Sequence, residues 1–455
     1  MLEASRAHRL NDRPRPPART TSPEPLWMAD HSSGGTAAPL SARRPLNRGK
    51  VERTSVVLMG AAIPSLVCGP LAIAFSFGLG GGLAIVTSPV RTWWADARRV
   101  VTGFPGVLLL LAIAAWIPSI AQSVDTQRSV DAWSSTVAVV AAGVVVWAIL
   151  VHRPHLHEGL AKALIVAALI AVGIALAALF IAPEIIAMVR FQGWMERDAG
   201  LALRKFANAS ALMVPALVWA GFRLGRKWVG MAIIAAGATA IMILATGARA
   251  PVAGLVGVLA FLSVAVALRL RRSLAVIALA ASIVVVIVAT SSYLVTHQRL
   301  HPDADFEPYV PVWMMDLHRQ AIWDFTLRQV PDAPWFGHGI NAINLIDGAD
   351  YEIPGLGQVL PSHPHNWAIQ VLGETGIVGA VPLYLFVGAL IVSLMRQYLR
   401  TSHPAVLAAG CVTTGYWTSG LLNFSMWATW WQAAHISMLV LLLAVAAADA
   451  RARGR

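Results

Sequence analysis

Charge is scarce in this chain. Asp, Glu, Lys and Arg together make up only 13% of its 455 residues, about half their share in soluble domains. So few ionic groups cannot cover an ordinary globular surface. Cysteine is nearly absent: Cys68 and Cys411 both lie in apolar runs. That excludes a disulfide framework or a cysteine-built metal centre and leaves both as small core residues. Carboxylates are outnumbered, 23 against 35 Lys and Arg. In a soluble protein such an excess points to nucleic acid. In a membrane protein it reports the basic loops that set orientation, so no nucleic-acid partner is expected. The period-two alternation of a transmembrane barrel is missing as well.

Hydrophobic residues make up 57% of the chain, grouped in runs near the 20 residues that cross a bilayer core as a helix. In lipid a helix satisfies its own backbone groups. The expected fold is therefore all-α, a polytopic integral membrane protein of about twelve transmembrane helices. The runs fall near 54–68, 72–90, 100–121, 133–151, 159–182, 207–222, 228–246, 251–268, 273–294, 366–395, 404–422 and 431–448. The first two form a tight hairpin at Gly69–Pro70. The tenth is long, contains Pro382, and is read as starting in the headgroup region.

Residues 1–53 hold ten Lys or Arg and seven prolines with no apolar run. They read as a disordered basic cytoplasmic tail, without the apolar h-region of a cleavable signal peptide. A start at Met28 is compatible with the sequence. The expected organisation continues with nine spans over 54–294, a large periplasmic loop over 295–363 containing short helices, three spans over 364–448, and a cytoplasmic end from 449. Helical spacing of apolar residues marks 313–329 within that loop.

Charges fix the orientation. One set of loops carries Arg91, Arg98 and Arg99; Arg153; Arg223, Arg226 and Lys227; Arg269, Arg271 and Arg272; Arg396 and Arg400; and Arg451, Arg453 and Arg455. The opposite loop, 295–363, has nine carboxylates against three arginines. This bias puts both termini in the cytoplasm of a bacterial inner-membrane protein. The interval 183–206 breaks the rule: it lies outside yet carries Arg190, Arg197, Arg204 and Lys205. Cations that oppose the insertion bias need another purpose.

Two more clusters share that side. Thr246-Gly247-Ala248-Arg249 ends one span. An arginine at membrane depth usually faces a cavity and suits bidentate phosphate contacts, although it can also snorkel to the headgroups. His363-Pro364-His365-Asn366 sits where the large loop meets the next span. A His-x-His pair is open to three readings: a zinc ligand pair, a general base near neutral pH, or loop histidines without a role. The seventeen tryptophans read first as an interfacial belt. Trp367, beside the His pair, is also a candidate sugar platform. His152, His155 and His157 fall on the cytoplasmic side, away from these clusters.

From His365 the chain runs His-Asn, nine residues, then Gly376-Ile-Val-Gly379. This resembles the H-[NSQ]-x9-G-x-x-G signature of the O-antigen ligase and polymerase superfamily. Thr246–Arg249 is similar to its Arg-bearing turn, and Phe206-Ala-Asn208-Ala-Ser-Ala211 to its F-x-N-x-x-A helix start. Arg319-Gln-Ala-Ile-Trp323 and Pro334-Trp-Phe-Gly337-His338-Gly339 resemble its large-loop elements. The likeness covers about 190–400.

The resemblance implies transfer of a glycan from undecaprenyl diphosphate, at the periplasmic face, to lipid A–core or to another lipid-linked glycan. Related members use a protein hydroxyl. No metal or other cofactor is implied. His365 would be the base for the acceptor hydroxyl. Arg249 would clamp the diphosphate, with Arg190 and Arg204 as further clamps. Arg319 would support the diphosphate or the loop, and His363 would lie behind His365. Asn366 would cap a helix, and the two glycines would allow close helix approach. Ligation is the preferred outcome and polymerisation the alternative. A twelve-span transporter or flippase is the competing class, but its sites lie at the midplane between repeats, and no repeat is visible here. A zinc hydrolase ranks third.

Overall fold

A computed structural model describes residues 48–192, 198–270 and 317–454. They build an almost wholly helical bundle. In chain order the helices are α1 (Arg48–Gly60), α2 (Pro70–Val86), α3 (Val90–Thr102), α4 (Phe104–Ala115), α5 (Ile117–Ala121), α6 (Thr126–Val151), α7 (His157–Phe180) and α8 (Glu184–Val189). They continue with α9 (Ala199–Leu224), α10 (Arg226–Ala245), α11 (Arg249–Leu270), α12 (Leu317–Arg328), α13 (Trp367–Thr401), α14 (Pro404–Ser419) and α15 (Thr429–Arg453). The described part of the large loop adds one two-stranded antiparallel hairpin, Glu352–Ile353 with Gly357–Gln358.

Among the described residues, eight helices are long and apolar enough to cross a membrane. They are Phe104–Ala121, which joins α4 and α5, then α6, α7 with its preceding turn, α9, α10, α11, α13 and α15. The chain is a polytopic helical membrane protein. The expected twelve spans are not all seen among the described residues, for local reasons. The first run divides into α1 and a 3-10 turn at Pro64–Cys68, neither long enough to cross, and Pro70–Val86 is a shorter apolar helix. The run at 404–422 gives the 16-residue α14, closed by a 3-10 turn at Gly420–Leu422. The run at 273–294 lies outside the described residues, as do most of the expected tail and the first part of the large loop. Helix α1 begins at Arg48, inside the stretch read as tail. Glu52 explains this: it pairs with Arg48 one turn back (3.2 Å) and with Arg153 across the bundle (3.3 Å).

Sequence dictates the helix starts. The Asp125 carboxylate accepts from Arg128 N at 2.9 Å to open α6, and Asp198 accepts from Gly200 N at 2.9 Å to open α9. Helix α9 is the central post, packed against α7, α10, α11 and α14. Its small residues Ala207, Ala209 and Ala211 are fully buried. Helices α11 and α14 meet closely because glycine lies on the contact face: a Cβ on Gly410 would sit 2.0 Å from the Phe261 ring.

Helix α13 is broken at Gly376, with φ 60° and ψ −169°. The break falls at the first glycine of the G-x-x-G run and not at Pro382. It leaves backbone groups unpaired within the helix, and the Pro334–Gly339 segment takes them up. Ile377 N donates to Pro334 O (2.9 Å), Val378 N to Trp335 O (3.1 Å), His338 N to Gly373 O (3.1 Å) and Gly339 N to Glu374 O (3.0 Å). A Cβ on Gly376 would lie 2.4 Å from Trp335 O. Two motifs far apart in sequence are thus one structural joint. Gly379 instead serves close approach: its Cβ would lie 2.7 Å from Trp116 Cδ1.

One end of the bundle is tied by ion pairs. Asp96 bonds Arg451 (2.5 Å) and His152 (2.7 Å). Asp449 bonds Arg223 (2.6 Å) and His403 (3.2 Å). The candidate site lies at the other end.

Candidate active site

At that other end seven chain segments converge on a cavity of about 1270 Å³. The 3-10 turn before α2 and the α8–α9 connection supply one wall, with Arg190. The first turns of α9 bring Arg204, Lys205 and Asn208, and the α10–α11 turn brings Gly247 to Ala250. Arg319 comes from α12, His365 from the residue pair before α13, and Leu422 to Phe424 from the α14–α15 connection. Five cations and one histidine therefore share a chamber, and no Asp or Glu lines it among the described residues. Arg249, Arg190, Arg204, Arg319 and His365, read separately along the sequence, are brought together. Arg197 lies outside the described residues.

Three of the cations, Arg190, Arg319 and Lys205, have neighbours that hold them. The Arg190 guanidinium donates to Val67 O (3.2 Å) and Ala202 O (2.9 Å). Burial pulls it below its ordinary value, which marks a cation short of water. Arg319 Nη1 donates to Leu422 O at 2.9 Å. Lys205 Nζ lies 5.9 Å from the Phe424 ring centroid, a cation–π distance. Arg249 opens α11 two residues after Gly247, whose φ is 60°. Glycine tolerates that left-handed turn, and the helix N-terminus adds its own positive potential to the arginine.

His365 is held with equal care. Its backbone adopts φ 55°, costly for a side chain of this kind. Next to it the Asn366 side chain caps α13, accepting from Ala368 N (3.0 Å) and Ile369 N (3.3 Å). The imidazole Nδ1 is 3.2 Å from Asn423 O. A carbonyl can only accept, so Nδ1 carries the proton and Nε2 keeps a lone pair. Burial, then the positive Arg319, hold His365 down to about 4. The ring is neutral at pH 7, as a base must be before it acts. His363 is not a wall of the cavity. Its ring lies against His365 with centroids 4.1 Å apart, and burial and its neighbour hold it down to about 3.

Asn423 was not readable from the sequence. It sits in a short connection with no motif around it. The Asn208 side chain donates to its Oδ1 at 2.8 Å, and its own Nδ2 donates to Ser419 Oγ at 3.2 Å. The one available signal was Asn208 itself, a polar residue in an otherwise small-residue helical run. A buried amide at that depth requires a partner. Gln370 and Glu374 of α13 grip the same connection: Gln370 Nε2 donates to Ser425 Oγ (2.7 Å), Met426 N donates to Gln370 Oε1 (3.1 Å), and Trp427 Nε1 donates to the Glu374 carboxylate. Trp367, the candidate sugar platform, is instead a packing residue. Its ring lies between Trp417 (4.7 Å) and Tyr384 (5.6 Å).

The sequence profile of the O-antigen ligase family matches residues 231–384. That stretch contains Arg249, Arg319, His363, His365 and both glycines of the G-x-x-G run. Over residues 231–384 this chain is similar to the O-antigen ligase family. Arg190 and Arg204 lie N-terminal to the match. The chain is also similar to proteins with provisional polysaccharide-ligase names. It is 27% identical to one from Rickettsia conorii over 151 residues, and 28% identical to one from Rickettsia typhi over 155 residues. Each alignment covers 32% of this chain and 36% of the relative.

Proposed function

We propose that this chain transfers a glycan from undecaprenyl diphosphate to an acceptor sugar hydroxyl at the periplasmic face of the inner membrane, with lipid A–core as acceptor. The observation that carries the reading is the shared chamber: five cations converge on one neutral histidine that keeps a lone pair, and among the described residues no Asp or Glu lines it. A diphosphate leaving group suits the cations. A hydroxyl nucleophile suits the histidine.

The step is a displacement at the anomeric carbon. The acceptor oxygen forms the new glycosidic bond while the bond to the diphosphate oxygen breaks, and its electron pair stays on the diphosphate. The hydroxyl proton passes to His365 Nε2. Attack opposite the leaving group inverts the configuration. Arg249 at the helix N-terminus and the anchored Arg190 stabilise the charge that grows on the phosphate oxygens. Arg204 and Lys205 widen the positive field, and Arg319 both faces the chamber and holds its Leu422 wall. Fixed guanidinium groups neutralise the diphosphate with no metal in the scheme. His363, packed against His365, helps keep water away from the base.

The test is complementation of two deletion strains, one lacking its O-antigen ligase and the other its polymerase, with surface lipopolysaccharide separated on a gel. A ladder on lipid A–core restored only in the first strain is the expected result. Restored chain length only in the second would make the protein a polymerase. His365→Ala should lower transfer by about 10²- to 10⁴-fold at an unchanged protein level. Full activity in that variant would remove His365 from the mechanism.

A further inference from the structure

Glu374 is the single carboxylate of α13, and it is 1% exposed. A buried carboxylate in a membrane-spanning helix is costly and calls for a function. It does not line the catalytic chamber. Its three side-chain partners are all neutral donors. Oε1 accepts from Gln370 Nε2 at 3.1 Å. Oε2 accepts from the Asn341 backbone N–H at 3.0 Å and from Trp427 Nε1. Asn341 belongs to the large loop, and Trp427 to the connection between α14 and α15. One side chain therefore ties α13 to both.

The direction of these bonds requires a carboxylate. Met426 N can only donate, and it donates to Gln370 Oε1 at 3.1 Å. Gln370 must then turn Nε2 the other way, toward Ser425 Oγ (2.7 Å) and Glu374. Whatever stands at position 374 meets a donor at each of its two ends, so both ends must accept. An amide there would set one N–H₂ against another, or force Gln370 to flip and confront Met426 N. Apolar packing would join the same elements at less cost, but it would leave the Gln370 amide undirected. The chain of bonds also closes on itself. Gln370 N donates to Asn366 O at 2.8 Å in the first turn of α13, next to His365. At the far side, Ser425 and Met426 follow Asn423, whose carbonyl meets His365 Nδ1 at 3.2 Å. Both partners of the His365–Asn423 bond are thus tied to the Gln370–Glu374 pair.

We infer that Glu374 is a positioning residue for His365: through Gln370 and Trp427 it orders the 423–427 connection, and so keeps the Asn423 carbonyl where it fixes the imidazole tautomer. The role in transfer rests on the proposed function. The hold on the histidine ring does not.

The test uses the full-length protein in nanodiscs with ¹⁵N-labelled histidine, the His365 signal being identified by its loss in His365→Gln. The wild type should show His365 protonated at Nδ1. Glu374→Gln, which keeps size and shape, should give a mixture of the two tautomers and lower kcat about tenfold, the worth of one hydrogen bond, with donor KM unchanged. The exchanged pair Gln370→Glu with Glu374→Gln restores an acceptor facing Met426 N and a donor–acceptor contact between the two side chains. It should return both readings most of the way to wild type. Trp427→Phe removes one donor only. It should shift both readings the same way by less, and it carries the test if Glu374→Gln does not fold. An unchanged tautomer in Glu374→Gln and in Trp427→Phe would overturn the inference, whatever the rate. So would a fall in rate that the exchange does not relieve and that tracks a lower thermal unfolding temperature, because Glu374 would then be packing alone. A shifted tautomer in Glu374→Gln, with no glycan transfer by the wild type itself, would overturn the proposed function and leave the hold on His365 standing.

Discussion

The two ends of the bundle handle their cations differently. At one end each buried or half-buried carboxylate holds its bases in ion pairs: Asp96 with Arg451 and His152, Asp449 with Arg223 and His403, Glu52 with Arg153. At the other, the chamber walls present five cations and no carboxylate among the described residues, and Arg190 is held by main-chain carbonyls. A carbonyl orients a guanidinium without cancelling its charge. The first arrangement spends its electrostatics on joining helices. On the proposed function, the second gathers positive charge where the diphosphate would bind.

Substitutions at the two ends should therefore fail in different ways. The largest effect after His365 belongs to Arg249. Arg249→Ala should lower kcat/KM for the lipid-diphosphate donor by about 10²- to 10³-fold, as removal of a preorganised transition-state donor does, and Arg249→Lys should recover only part of it because the fork geometry is gone. Wild-type kinetics in Arg249→Ala would erase the contrast between the ends. A smaller effect belongs to Asn423. Asn423→Ala frees the carbonyl that fixes the His365 tautomer, since it removes the bonds to Asn208 and Ser419. Its kcat should fall about tenfold with donor KM unchanged. Asn208→Ala should cost a similar factor, and the double variant little more than either alone, as members of one network do. Additive losses would make the two residues independent.

The field itself can be read by pH. His365 is held down to about 4 by burial and by Arg319, and it works as a base only when neutral. Activity is thus present above that value and lost as pH falls through it. In kcat/KM, which reports the free enzyme, the rate should stay flat from about pH 8 down to about pH 5.5, where an ordinary histidine would already be mostly protonated. A bound diphosphate offsets the cations, so the acid limb of kcat should lie at higher pH than that of kcat/KM. Coincident limbs would mean that substrate does not quench the field.

Much of this was legible in the sequence, because the pieces that carry it are local. Apolar runs declare helices by length. Arg249 and His365 stand in short motifs, and the misplaced cations of 183–206 broke the charge rule on the side where the chamber lies. What stayed hidden depends on contacts between distant segments. Nothing around Asn423 announces that its carbonyl would meet a histidine 58 residues away. Gly376 reads as a packing glycine until Pro334–Gly339 is seen bonded to the break it makes. Among the described residues the expected span number is not confirmed where proline and glycine cut apolar runs into shorter pieces. Composition alone does not register such cuts.

The smallest expected effect sharpens the comparison most. Asp449→Asn removes the charge that holds Arg223 and His403, linking the ends of α9, α14 and α15 far from the chamber. Arg223 is 40% exposed at its side chain and Asp449 27%, so solvent already screens the pair and the loss should be at most about 1 kcal/mol of stability. Thermal unfolding in detergent should therefore shift slightly downward, and kcat/KM should stay within about twofold of wild type. The asymmetry follows from where the charge goes. An ion pair closed on itself projects little field beyond a Debye length, whereas cations gathered on the walls of one cavity act together on whatever enters it. If Asp449→Asn instead lowered transfer tenfold or more at an unchanged protein level, the paired end would be coupled to turnover through α14 and α15, both of which flank the Asn423 connection. The two ends would then be parts of one device.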